Sequence, residues 1–144
     1  MFSASACADV PQEEPGSSPS PSITKAALAD KKTSCDAYKA LDAETQAKLE
    51  PLATDLAAAQ SDPVKALTAL GEVKSLIAQQ ETKLTALTDQ AGDASVKAAL
   101  QVRLTEVRKL KTDLDAAGTD PAKLQAVFES VDDKKSDPVK VACL

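Results

Sequence analysis

The chain has 144 residues, with one Tyr, two Phe, no Trp and only four Gly. That fits one domain and speaks against β-sandwich and barrel folds, which draw on aromatic and β-branched residues and frequent glycine turns. The formal net charge is −5, with no basic face or aromatic platform to recommend nucleic-acid binding, and no histidine to act as general base or metal ligand.

The first segment carries Ala4-Ser5-Ala6-Cys7 and then a stretch in which Pro11, Pro15, Pro19 and Pro21 alternate with Ser, Gly and Glu. Prolines at that density block helix, and the polar residues between them bury nothing, so residues 1–30 are expected to be a residual signal and a disordered, extended tether. Ala-x-Ala is a small-residue cleavage pattern, and small residues directly before Cys7 also match the lipidation site of exported proteins. Two departures stand against the lipid reading. Ala4 occupies the position where Leu is usual, and Met1-Phe2-Ser3 supplies neither a basic nor an apolar leader. The start is therefore expected to be internal to a longer frame, to follow a trimmed signal, or to match by chance in a cytoplasmic protein; a soluble secreted form is the further alternative.

The body, residues 31–144, reads as helix throughout. It is rich in Ala, Leu, Lys, Asp, Glu and Gln, a composition that as a whole favours helix. The first apolar run is Cys35, Tyr38, Leu41, Leu49, Leu52 and Leu56, with Pro51 predicting a kink or break near Glu50. The second runs from Val64 and Leu67 through Leu70, Val73, Ile77, Leu84 and Leu87 to a stop near Gly92. Gly71 within it marks either a close helix approach or nothing. The third runs from Val96 to Leu114, capped by Asp93 and ended by Gly118. The fourth carries Leu124, Val127, Phe128 and Val131, and a short last piece carries Val139, Val141 and Cys143.

Ser/Thr-Asp-Pro recurs at 61–63, 119–121 and 136–138. The irregular spacing argues against a repeat, and each copy has a local reason: Asp accepts from unpaired amides while Pro needs no partner at the first helical position. Segments 35–60, 63–91, 94–117 and 121–143 are of similar length with short connections. The expected fold is all-α, an antiparallel up-down-up-down four-helix bundle behind a disordered Pro/Ser-rich N-terminal tether.

In that topology the start of the first helix and the end of the fourth meet, so Cys35 and Cys143 are expected to form a disulfide at the usual Cα separation of about 5.5 Å. Such a bond belongs to an oxidising compartment. Three free thiols in a cytosolic protein is the alternative.

A lipidation-like Cys7, a Pro/Ser tether, an Ala-rich helical body and two further cysteines together resemble small secreted lipoproteins of the actinobacterial type. The resemblance lies in layout and implies location alone, at the outer face of the membrane or outside the cell.

No catalytic, cofactor-binding or metal-ligating set emerges. Asp113-x-Asp115 and Asp132-Asp133 lack the spacing and turn glycine of a calcium loop, Cys35-Asp36 has no histidine to activate it, and the Lys31-Lys32 and Lys134-Lys135 doublets read as solvated. The expected function is a non-enzymatic envelope or secreted domain that is monomeric, needs no cofactor, touches membrane only through a lipid on Cys7, and binds a protein or envelope component. The alternatives are a self-assembling helical spacer, for which the heptad-like spacing of residues 64–91 would serve as a coiled-coil seam, and a surface-exclusion lipoprotein.

Overall fold

The computed structural model of the chain describes residues 27–131 and 135–144. Among them the elements are α1 (Lys31–Ala57), a 3-10 turn (Ala58–Gln60), α2 (Pro63–Gln90), α3 (Ala94–Ala117), α4 (Pro121–Ser130) and α5 (Pro138–Ala142). The architecture is an all-α bundle. Helix α2 lies at its centre, with α1 packed along one flank and α3 along the other.

Every one of the five helices opens on an aspartate. Asp62 Oδ1 accepts from the Lys65 amide at 3.0 Å, Asp93 Oδ1 from Val96 at 2.9 Å, and Asp137 Oδ1 from Val139 at 2.9 Å. The three Ser/Thr-Asp-Pro copies are therefore three helix starts, each with its proline in the first turn. Gly118 ends α3 at φ +60°, a conformation that costs an L side chain energy and glycine nothing. Gly71 has open space where a Cβ would stand, so it marks no close approach.

Four features differ from the expectation. Helix α1 begins at Lys31, because Asp30 accepts from the Thr33 amide at 2.7 Å and adds a first turn before Cys35. It also runs unbroken through Pro51. Proline removes one amide donor, but Ala47 and Pro51 both lie on the exposed side, where water can serve the orphaned carbonyl, while Leu52 is anchored in the core. The fourth bundle segment, 121–143, is not one continuous rod: the expected Asp137-Pro138 start opens the short last piece, α5, afresh, and a residue preceding proline is disfavoured in helical conformation. Finally, Val64 and Leu67, placed in the buried stripe by their spacing, are exposed, and burial on α2 starts at Ala66, Ala69 and Leu70.

The core is one cluster. Leu84, Leu100, Leu114, Val96 and Val139 are its largest fully buried side chains, and Tyr38, Leu41, Leu70, Val73 and Ile77 join them. Two buried threonines inside it satisfy their hydroxyls within their own helix: Thr45 Oγ1 donates to the Leu41 carbonyl at 2.8 Å and Thr88 Oγ1 to that of Leu84 at 2.7 Å. Helix α4 differs from the rest. Among the described residues it packs on α3 alone, buries none of its side chains fully, and leaves Phe128 exposed.

The packed body reaches back to Leu28. Ala29 forms an isolated parallel bridge with Ala91, its amide donating to the Gln90 carbonyl at 2.8 Å while the Gly92 amide donates to the Ala29 carbonyl at 2.9 Å. Gly92 is required here by space: a Cβ would stand 2.9 Å from the Ala29 oxygen and 3.0 Å from Leu28 Cβ. Gly92→Ala is therefore expected to push Ala29 off the α2–α3 junction. With two hydrogen bonds at stake at about 1 kcal/mol each, urea unfolding should show a loss of roughly 1–2 kcal/mol, together with faster amide exchange at Ala29 and Gly92.

Ion pairs join α1 to α2. Glu44 accepts from Lys48 one turn on and, across the helix pair, from Lys83 at 2.7 Å. Those two ammonium groups pull its pKa from the usual 4.5 down to about 2. A depressed carboxylate stabilises the fold above its unfolded pKa, and that contribution is lost as pH falls through the folded one. The urea midpoint should thus fall between pH 4.5 and about 2 in the natural chain, and less steeply in Glu44→Gln, the two curves drawing together at the acid end.

Candidate functional site

The residues singled out by the sequence for chemistry are its cysteines. Cys7 lies outside the described residues. Cys35 sits on the second turn of α1 and Cys143 at the C-terminal cap of α5, and their sulfurs are bonded across a Cα separation of 5.8 Å and 108 residues of chain. Both are partly buried against the core cluster. On the chain-entropy account, closing a loop of that length restricts the unfolded ensemble by about 5 kcal/mol.

What places the sulfurs together is a set of contacts between α5 and the first half of the bundle. Val139 is fully buried, with α5 packed on α3 and α1. Tyr38, on α1 one turn beyond Cys35, is 3 % exposed and donates its hydroxyl to Asp137 Oδ2 at 2.6 Å. Asp137 thus uses one oxygen to cap α5 and the other to hold Tyr38. Burial, reinforced by that hydrogen bond, holds the phenol well above its usual pKa of 10.0, so it stays a donor throughout the neutral range. On the outer side Lys140 pairs with Asp42 at 2.8 Å, and the carboxylate raises the lysine's pKa.

Arg103 of α3 lies half-buried beside this contact. Its Nη1 donates to Glu106 at 3.2 Å, Glu106 also accepts from Lys135 at 3.2 Å, and Nε is buried with no hydrogen-bond partner among the described residues. Among the described residues three cations, Arg103, Lys135 and Lys140, lie beside three anions, Asp42, Glu106 and Asp137.

The other candidate groups are dispersed. Asp113 pairs with Lys109 on its own helix and Asp115 with Lys74 at 3.7 Å. Asp36 pairs with Lys32. Asp132, Asp133 and Lys134 lie outside the described residues. Among the described residues no three His, Cys, Asp or Glu side chains come together as a metal site, and no helix is long and apolar enough to cross a membrane. Two open surface grooves stand out among the described residues. One, of about 550 Å³, runs between α1 and α2 past Lys48, Pro51, Leu52 and Glu72. The other, of about 480 Å³, runs along α2 past Glu81, Thr82, Thr85 and Asp89 to Lys111 of α3. Neither encloses a ligand-sized volume in apolar walls, as small-molecule sites do.

Sequence reasoning missed the Tyr38–Asp137 contact, the Arg103–Glu106–Lys135 chain and the Ala29 bridge. One signal for the first was present: the chain's only tyrosine falls on an apolar stripe, and a buried phenol needs a partner. Comparison with known protein families, with curated proteins and with solved structures gives no match.

Replacing both Cys35 and Cys143 by serine should cost about 5 kcal/mol of unfolding free energy, shown as a lowered urea midpoint. The helicity of the native baseline should change little, because α1, α2 and α3 pack without α5.

Proposed function

We propose that the chain is a non-enzymatic helical domain of the cell envelope, tethered by a lipid on Cys7, that binds a protein or envelope component through its exposed helix faces. The observation that carries this reading is the Cys35–Cys143 bond across the two ends of the helical body. Disulfides of this kind persist where glutathione and thioredoxin do not reach them. A Pro/Ser-rich spacer after Cys7 suits a domain held off a surface, and one acyl chain alone anchors weakly, so the multiple chains of a lipoprotein are implied. The small, dispersed, charge-balanced surface groups suit contact with a macromolecule better than chemistry on a small substrate.

A self-associating spacer is the second reading. It is favoured by the large apolar side chains left exposed on α2 and α4, Val64, Leu67 and Phe128 among them.

The test is fatty-acid labelling in the native host, with the natural chain and Cys7→Ser compared, and alkylation of the isolated protein without prior reduction. Label that disappears in Cys7→Ser, with Cys35 and Cys143 refractory to alkylation, is the expected result. An unlabelled protein in the soluble cell fraction with all three thiols reactive would overturn it. Light scattering over a range of concentrations then decides between the two readings: a constant monomer mass removes the spacer.

A further inference from the structure

We infer that the fold itself chooses the disulfide partner, and that the Tyr38–Asp137 contact is what positions Cys143 on Cys35 before the bond forms. The inference stands independently of where the protein resides.

Three cysteines allow three pairings, and chain statistics favour the wrong one. Cys7 and Cys35 are 28 residues apart, Cys35 and Cys143 are 108 apart. Loop-closure probability falls as about the three-halves power of length, so an unfolded chain should close Cys7–Cys35 roughly eightfold more often than Cys35–Cys143. Closing the longer loop as the main product requires that something bring the C-terminal end to α1 first.

Helix α5 carries that information in four places. Asp137-Pro138 starts the helix, and Asp137 Oδ1 accepts from the Val139 amide. Val139 seats fully in the core. Lys140 reaches Asp42 on α1. The buried contact, from Tyr38 to Asp137 Oδ2 at 2.6 Å, spans 99 residues and fixes α5 against the helix face that carries Cys35. Tyr38 is three residues from Cys35 and therefore on the same face of α1, and Asp137 is six residues from Cys143 along the α5 segment. Seating this pair sets the two sulfurs within reach with no covalent help. The five helical residues of α5 are too few to be stable by themselves, so docking and helix formation occur together.

The chemistry balances with glutathione disulfide as oxidant. A cysteine thiolate attacks it, forms a mixed disulfide and expels one glutathione; the second cysteine's thiolate attacks the mixed disulfide and expels the other. Two electrons pass from the cysteine sulfurs to the glutathione pair, and the two thiol protons end on the two released glutathiones.

The experiment takes the reduced full chain with Cys7 unblocked, oxidises it with glutathione disulfide in buffer and in concentrated urea, and maps the bonds by mass spectrometry after acid quench. Cys35–Cys143 should dominate in buffer, and Cys7–Cys35 should exceed it roughly eightfold in urea. Tyr38→Phe, which leaves the α5 cap intact, should shift the buffer ratio several-fold toward Cys7–Cys35, and Asp137→Ala should shift it further. Lys140→Ala, which removes an ion pair whose lysine is exposed, should shift it least. Equal product ratios in buffer and in urea, or an unchanged ratio in both Tyr38→Phe and Asp137→Ala, would overturn the inference. Should a reduced variant lose its helicity, the natural chain still decides: the rate of Cys35–Cys143 closure must fall in step with circular dichroism as urea is raised, and a rate indifferent to that loss of structure sinks the idea.

Discussion

Helix α5 is only five residues long, and the end of the bundle that carries the disulfide depends on how it is held. Alone it would not persist, since helix nucleation costs more than so short a segment returns. It persists because one carboxylate serves two masters. Asp137 satisfies the amides at the start of α5 and accepts the buried hydroxyl of Tyr38 from the opposite end of the chain. With α5 seated, Val139 completes the core between α1 and α3, and Cys143 comes to rest on Cys35. Without it the flanks of α1 and α3 that α5 covers would lie open.

The same residue type does quieter work elsewhere. Aspartates cap all five helices, so the chain carries its punctuation in one letter. Where proline follows directly, at Pro63, Pro121 and Pro138, the start is fixed to the residue, because proline is tolerated in the first turn and disfavours helix in the residue before it. The cost of this economy appears at α4. Helix α4 is well started by Asp120-Pro121, but starting a helix does not bury it, and α4 lies on α3 with its apolar side chains incompletely covered.

Helix identity, helix starts and the Gly118 stop were legible because each rests on interactions within a few residues. So, in outline, was the juxtaposition of Cys35 and Cys143, since alternating antiparallel segments return the end of the chain to the start of α1; the contacts that seat α5 there were not. What was not legible depended on distance or on solvent. Pro51 reads as a break on local grounds, yet its orphaned carbonyl faces water and the helix continues. Val64 and Leu67 share the period of the buried stripe, but among the described residues nothing buries them. The Tyr38–Asp137 contact links positions 99 apart, and periodicity carries no information on such pairs. The Ala29 bridge is backbone to backbone and so leaves no trace in side-chain pattern beyond the glycine it requires at position 92.

The Ala29 bridge also decides how the domain would answer a pull. Tension arriving through the residues before Leu28 meets two backbone hydrogen bonds at the α2–α3 junction, and behind them, a turn or so into α1, a covalent cross-link to the C-terminus. For a pull between the two ends of the body, the load passes through the Cys35–Cys143 bond, and the hydrogen bonds of the long helices beyond the cross-link are spared. Stretching should unclasp Ala29 first and leave the rest of the body intact, a mechanical fuse placed where an N-terminal attachment would tug.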